Sequence, residues 1–561
     1  MKVSELEYRR VTIESLSEEI MKIVSDIENA SAVDDILRSR SRYNELMDEF
    51  NTMTALSYMR YTINTIDEFY LAEKDYYDVI GPEVANLELA YHTALMNSPF
   101  RSELENILSP LLFKKIENSM KSMSSEIIED MIEENKLVSE YSVLMAGMEF
   151  EFRGETMSRA ELMGYAYDSD REVRKACYEA LGNTLMQYAD DLDRIFDQLV
   201  HVRDRMAKKM GYKNFIELGY YRMNRICYDE EMISVFRNNV LNNLVPVVSK
   251  LRKMAAKELG IDDMMLYDLN VIIPGGDPKL VGVDEIFDAS VEMYHAMSPE
   301  TASFVDMMIE NEAFDVRARK NKWGGGYCTI FSKYRQPFIL ANFNGTTDDV
   351  DTMTHEFGHA LNDYLTLDNE YVNELGCGGM ETAETHSMGM EFFAWPYMEK
   401  FFGDRAAAYR YRHALDTMSF IPYGTIVDAF QHIVYANPDL TPAQRNETWL
   451  DLESQFRPFM RMDGIPYLEN GTRWQYQMHI YETPFYYIDY CLAQTAAFQF
   501  LLASREDYND AFRRYMHLSK QGGEKAWDEL LTEAGFLSPF EEGALREIAE
   551  RMEDLILKIK I

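Results

Sequence analysis

Five consecutive residues, His355-Glu356-Phe357-Gly358-His359, carry two imidazoles and a carboxylate at a spacing that a helix converts into a metal site. Four residues advance an α-helix by about 400°, so the two rings lie ~40° apart on one face, one turn from each other. One ion can touch both. Glu356 points about 100° further round, where it reaches a water beside the ion without being a ligand. With 10 His in 561 residues, composition alone would supply His-Glu-x-x-His about 0.03 times in the chain. The competing reading, two core histidines satisfied by ordinary hydrogen bonds, gives Glu356 no task.

The flanking residues predict the helix this needs. Thr346 or Thr347 can cap its start, and Asp348, Asp349 and Asp351 fall in the first turn, where the helix dipole favours anions. Val350, Met353, Phe357, Leu361 and Tyr364 form an apolar stripe that anchors the helix, and the histidines point elsewhere.

A catalytic zinc usually keeps three protein ligands and one open position. The longer motif with a third histidine fails here, because position 365 is Leu365 and position 362 is Asn362. Downstream, GMETAETHSMGMEFFAWP predicts a second helix with Glu381, Glu384 and Glu391 on one face. Glu384 and Glu391 are separated by a rise of ~10 Å, so both cannot bind one ion. Spacing puts Glu384 first and leaves Glu381, His386 and Glu391 open.

A third group is His479-Ile-Tyr481-Glu-Thr-Pro-Phe485-Tyr486-Tyr487-Ile-Asp-Tyr490. Amide hydrolysis builds negative charge on the carbonyl oxygen, and phenol or imidazole donors aimed there stabilise it. An aromatic stripe also packs a core, and that reading stands beside the first. Gly324-Gly325-Gly326 reads as a tight turn. Its functional alternative, through Gly325 and Gly326, is an exposed strand edge that pairs with an extended peptide. Gly376, Gly378 and Gly379 admit the same alternative more weakly.

These residues need a large scaffold, and the chain has one. Its composition is 47% hydrophobic and 27% charged, as in ordinary globular proteins. Fifty-six basic residues against 95 acidic ones give a net charge of −39. Such a surface repels phosphate backbones and anionic lipid, so nucleic acid and membrane partners are not expected. The five cysteines, Cys177, Cys227, Cys328, Cys377 and Cys491, lack CxxC spacing, which argues against a disulfide framework and a thiolate metal site. The charged start MKVSELEYRRVTIE offers no apolar leader. The apolar stretch 485–503 is interrupted by Asp489, Gln494 and Gln499, so it reads as a buried helix. A cytoplasmic location is expected.

Residues 1–200 show helical periodicity, with a capping box expected at Ser169 and Glu172. Composition shifts near residue 265, where LYDLNVIIPGGDPKL is rich in β-branched and turn residues. Then KWGGGYCTIF and QPFILANFNGT predict two strands around a turn at 332–335. Beyond Thr347 the chain reads as helix, broken at Pro396, Pro422, Pro438, Pro466 and Pro484. The division expected is a helical lobe over 1–200 and a catalytic domain over 201–561.

HEFGH followed by a glutamate in an E-x-x-S-x-x-x-E setting resembles the thimet oligopeptidase and oligoendopeptidase F family of zinc metallopeptidases. QPFILANFNGT, ETHSMGMEFF, PYGTIVDAFQHIVYANP and HIYETPFYYIDY are similar to its bacterial oligoendopeptidase branch, over about residues 320–500. The resemblance implies a mainly α, two-lobed fold with a small sheet beside the HExxH helix and a deep cleft between lobes. It implies one zinc ion per chain on His355, His359 and Glu384, with Glu356 as base. It places His479 and Tyr490 at the oxyanion and Tyr486 or Tyr487 against substrate. Short unstructured peptides are the implied partners, and oligomeric state stays open. A metallocarboxypeptidase on the same ligands, or a peptide-binding protein without chemistry, are the alternatives.

Overall fold

The computed structural model describes residues 1–280, 285–366 and 378–561. It is mainly α. The first helices, α1 (Ile13–Glu28), α2 (Val33–Ile63) and α3 (Glu68–Met96), pack side by side. Leu16, Ile20, Ile23 and Ile27 show why: three- and four-residue spacing places all of them on the buried face of α1. Tyr43 of α2 stacks on Tyr91 of α3 with ring centres 3.5 Å apart. Helix α4 (Ile128–Ala146) leads into a hairpin of β1 (Phe150–Phe152) and β2 (Glu155–Met157), then α5 (Arg171–Gln187) and α6 (Ala189–Lys209).

The start of α5 corrects the expected box. Asp170, one residue closer to the helix than Ser169, accepts from the Glu172 backbone N–H at 3.0 Å. The shorter reach wins the cap.

The catalytic motif follows a three-stranded sheet in the order β3-β5-β4. Strands β4 (Tyr327–Phe331) and β5 (Gln336–Phe343) are antiparallel around a turn whose Arg335 adopts φ 54°, matching the predicted pair. Strand β3 (Phe314–Arg317), parallel to β5, was not foreseen, because FDVRARK is too charged to read as strand. LYDLNVIIPGGDPKL forms no strand among its described residues, only a short turn at Leu266–Asp268 followed by buried Val271–Ile273.

Five of the later helices frame the site: α7 (Asp348–Thr366), α8 (Met380–Phe393), α9 (Ala406–Ala436), α10 (Met478–Glu482) and α11 (Tyr487–Glu506). Pro422 lies inside α9 and does not break it. The residues around it are buried, so tertiary packing overrides the local cost of a missing N–H. The 485–503 stretch is a buried helix from Tyr487 onward, after a turn at Phe485 and Tyr486, and its Asp489 pairs with Arg225 at 3.1 Å. Gly424 of α9 permits a close crossing with α11: a Cβ there would lie 2.3 Å from Cys491 Sγ.

The N-terminal helices grip both sides of the catalytic region. Thr62 at the end of α2 hydrogen-bonds the Tyr327 hydroxyl at 2.7 Å and accepts from the Trp323 backbone N–H at 2.8 Å. On the other side Tyr141 of α4 stacks on Tyr481 of α10 at 3.9 Å, and Arg203 of α6 donates to the Tyr481 carbonyl at 2.6 Å.

Candidate active site

Helix α7 is held by the expected stripe with one exception. Val350, Met353, Phe357 and Leu361 are buried, and Phe357 stacks on Tyr294 at 3.5 Å. Tyr364 is 40% exposed and only edges onto Phe304. The start is held by Asp349, whose carboxylate accepts from the backbone N–H groups of Asn344 and Gly345, rather than by a threonine hydroxyl.

Helices α7 and α8 cross at Gly358. A Cβ there would stand 2.7 Å from the His386 carbonyl oxygen and 2.7 Å from Ser387 Cα, so only glycine allows this approach. The approach brings Glu384 Oε2 to 3.3 Å from His355 Nε2 and 3.4 Å from His359 Nε2. One ligand atom from each of the three lies within 4.8 Å of the others, close enough to share an ion.

The other three candidates on α8 face elsewhere. His386 Nδ1 is 3.1 Å from the Ser519 hydroxyl, and burial drives its pKa down to about 3. Glu381 sits by Tyr228 and Asp489, where burial and the Asp489 charge raise it. Glu391 lies behind His355, accepting from Nδ1 at 2.8 Å. Its second oxygen meets His413 Nε2 at 2.9 Å, and His413 Nδ1 accepts the Trp395 indole N–H at 2.9 Å. That last bond needs a lone pair on Nδ1, so His413 donates from Nε2. The outcome is a chain Trp395–His413–Glu391–His355 that leaves His355 Nε2 facing Glu384. Neither His413 nor Trp395 was singled out in the sequence, since nothing in their spacing connects them to His355.

Glu384 is fixed as well. Ser387 donates to Oε2 at 2.9 Å, and the Tyr486 hydroxyl donates to Oε1. Burial opposes ionisation of Glu384, but His359 and His355 pull its pKa well below the usual carboxylate range. Glu356 is raised by burial, with His355 and His359 pulling back. The Cys328 backbone in β4 also pulls it down. Gly326 lies beside it: a Cβ there would be 3.7 Å from Glu356 Oε1 and 3.2 Å from Thr352 Cγ2. Gly325 is covered by the Trp323 ring, which a Cβ would meet at 2.0 Å. The close approach to Glu356 thus falls on Gly326, and Gly376 and Cys377 lie outside the described residues.

His479, Tyr486, Tyr487 and Tyr490 form one aromatic wall. The His479 ring is 5.9, 4.9 and 5.8 Å from the three tyrosine rings in turn. Burial pushes His479 down to about 4, against the pull of Glu384, so it is neutral near pH 7. Tyr423 donates to Gln477 Oε1 at 2.6 Å, which orients the amide so that Gln477 Nε2 donates to His479 Nδ1 at 2.9 Å. The imidazole proton therefore sits on Nε2. Tyr490 is raised by burial and by the charges of Glu384 and Glu356, and its ring centre lies 4.8 Å from that of Tyr486, which holds Glu384. Tyr487 is raised by burial among Tyr423, Cys491 and Tyr490. Phe485, just before this wall, holds φ 69°, a strained conformation that its buried surroundings enforce.

The donor set fits a zinc ion. Glu356, Glu384 and Glu391 are all buried, and among the described residues none of them pairs with a lysine or arginine. Buried negative charge of this kind calls for a cation, and two imidazoles with one carboxylate suit zinc better than the all-oxygen shells of magnesium or calcium.

Two crossing helices that join His, Glu and His to a second glutamate have the arrangement of a helical metallopeptidase centre. The sequence pattern of peptidase family M3 matches residues 164–272 and 280–550, that of the peptidase M3 N-terminal domain matches residues 3–123, and the chain belongs to this family. It is similar to oligopeptidase PepF of Bacillus subtilis (strain 168), at 24% identity over 72% of this chain and 61% of that protein. The chain thus spans under two thirds of that curated relative. Among solved structures it is similar over 100% of both chains to PZ peptidase A with an inhibitor, at 41% identity and a TM-score of 0.96. An oligoendopeptidase F from Enterococcus faecium shares the fold at 14% identity and a TM-score of 0.64, over 97% of each chain.

Proposed function

We propose that this chain is a zinc-dependent endopeptidase of short, unstructured peptides. The observation that carries the reading is the convergence of His355, His359 and Glu384 beside an unligated, buried Glu356. Bound by those three residues, zinc would polarise the scissile carbonyl and acidify a water. Glu356 takes the proton of the attacking water and delivers it to the leaving amine nitrogen. Its raised affinity for protons suits that relay. His479, through Nε2–H, and Tyr490, through its hydroxyl, donate to the carbonyl oxygen as it becomes an oxyanion. Tyr486 holds Glu384 in place. The backbone beside Gly326 lies against the base, so an extended peptide placed along β4 would pass Glu356 without demanding a particular side chain. The relatives' names, oligopeptidase and oligoendopeptidase, support the substrate size and internal cleavage.

The test is a digestion followed by mass spectrometry, with metal analysis of the same sample. One zinc per chain and internal cuts in peptides of roughly 5–20 residues are expected, a length window taken from the family likeness. Glu356→Gln should keep its zinc and lose turnover by about 10²–10⁴. Near-parental activity in a zinc-loaded Glu356→Gln chain sinks the mechanism. Removal of single residues from one end would identify a carboxypeptidase, and steady digestion of denatured casein would contradict the size limit.

A further inference from the structure

In a chain of net charge −39, one cavity next to the aromatic wall is lined by Arg252, Arg412, Arg457 and Arg473 against a single lining acid, Asp416. Its volume is about 250 Å³, below the ~300–1,000 Å³ of pockets for whole drug-sized ligands. It has room for part of a larger ligand. Phe420 and Tyr423 line it as well, and they connect it to the candidate site: Tyr487 lies 5.5 and 5.9 Å from them, and Tyr490 lies 6.3 Å from Phe420.

The four arginines are not equivalent. Arg412 is ringed by Asp277, Asp348, Asp351 and Asp416, within 3.6 Å. Arg252 spends its nitrogens on Asp416, the Ser419 hydroxyl and the Leu269 carbonyl. These two are neutralised in place. Arg457 and Arg473 share one carboxylate, Glu453, so two charges are set against one. Arg457 gives Nε and Nη2 to Glu453, and Arg473 gives Nη1 to Glu453 and Nε to the Tyr476 hydroxyl. Among the described residues, Arg457 Nη1 and Arg473 Nη2 donate to nothing. Arg457 is 4% exposed, and the one nitrogen it leaves unpaired is Nη1, in a side chain that lines the cavity. Arg473 is stacked 4.2 Å above the Tyr423 ring.

A guanidinium pair with an excess charge, one unpaired nitrogen on each member and aromatic walls matches a carboxylate attached to an apolar residue. Building on the peptidase reading, we propose that this cavity binds the carboxylate of the substrate peptide's C-terminus, anchoring the peptide beside the aromatic wall. Tyr423 lies between the two sites: its ring face meets Arg473, and its hydroxyl orients Gln477 and through it His479.

The test uses one short peptide in three forms: free acid, C-terminal amide, and free acid with an internal Glu→Gln change. Cleavage by the zinc-loaded parent should fall about ten- to hundred-fold in kcat/KM on amidation. The Arg457→Gln chain should cut acid and amide alike, and Arg457→Lys should restore part of the difference. Its melting temperature checks the fold. The same peptides are titrated calorimetrically into the Glu356→Gln chain, which reads binding without turnover. Weaker binding of the amide supports the subsite. An effect of the internal Glu→Gln change alone would overturn the terminus as the source and assign the arginines to an acidic side chain. Equal binding and cleavage of all three peptides overturns the subsite and leaves the peptidase standing. Carboxylate-dependent binding with no cleavage by the parent would fail the hydrolysis reading and not the subsite.

Discussion

The two walls of the candidate site are built on different terms. On the α7–α8 side two of the three coordinating groups have a second partner: Glu391 behind His355, and Ser387 with Tyr486 on Glu384. The helices that carry them touch backbone to backbone at Gly358. On the α10–α11 side the donors are held by ring edges and by one hydrogen-bond relay from Tyr423. Charge-assisted bonds fix position closely, whereas ring-edge contacts tolerate small rotations. The first wall is therefore suited to holding an ion, and the second to following an oxygen whose charge and position change during reaction.

Removing a ligand should produce the largest effect. Glu384→Ala and His359→Ala should each lose zinc and all measurable turnover, read by metal analysis and peptide assay. If Glu384→Ala keeps its zinc while Glu381→Ala loses it, the first wall has been misread. Next in size comes Tyr490→Phe, which deletes a hydroxyl and keeps ring packing. It should lower kcat by about 10²–10³ with zinc content and melting temperature unchanged and KM within a few-fold. A silent Tyr490→Phe, with Tyr490→Ala merely unstable, would assign that ring to the core. Glu391→Gln keeps shape and loses charge, so zinc affinity should fall about 10–100-fold in a chelator competition. An unchanged affinity would show that the second layer does not tune the ion. The smallest effect belongs to Gln477→Leu, which frees His479 to adopt either tautomer. It should cost about three- to ten-fold in kcat with zinc affinity untouched. A loss of zinc in this variant would erase the contrast between the walls.

Part of this was readable in the residue order. Helical spacing connects His355, Glu356 and His359 because all three share one helix, and local geometry follows from sequence distance. The strand pair before them carried β-branched and aromatic runs around a turn, and it reads correctly. Glu384 sat among four candidates because its helix is buried all round, so no solvent-facing stripe told the glutamates apart. The choice depends on how α8 crosses α7, and that crossing is set at Gly358, a residue that within its motif resembles filler. Strand β3 was missed for a related reason: it is stabilised by pairing with β5 and not by its own composition. The Asp170 and Asp349 contacts show local rules choosing between nearby residues, where a shift of one to three positions decides which side chain holds the helix start. The Glu391–His413–Trp395 chain spans three separate segments and has no local signature at all.

That chain has an optical consequence. Indole emission responds to the hydrogen bond made by its N–H and to nearby charge, and the Trp395 N–H lies three hydrogen bonds from the metal position. Loading the ion would redistribute charge along His355, Glu391 and His413 and reach the fluorophore without any movement of the backbone. Occupancy is thus expected to be readable by light in the unlabelled chain as the component that Trp395→Phe removes, with Trp323 over Gly325 and Trp527, which donates to Thr385, as the other tryptophans near the site.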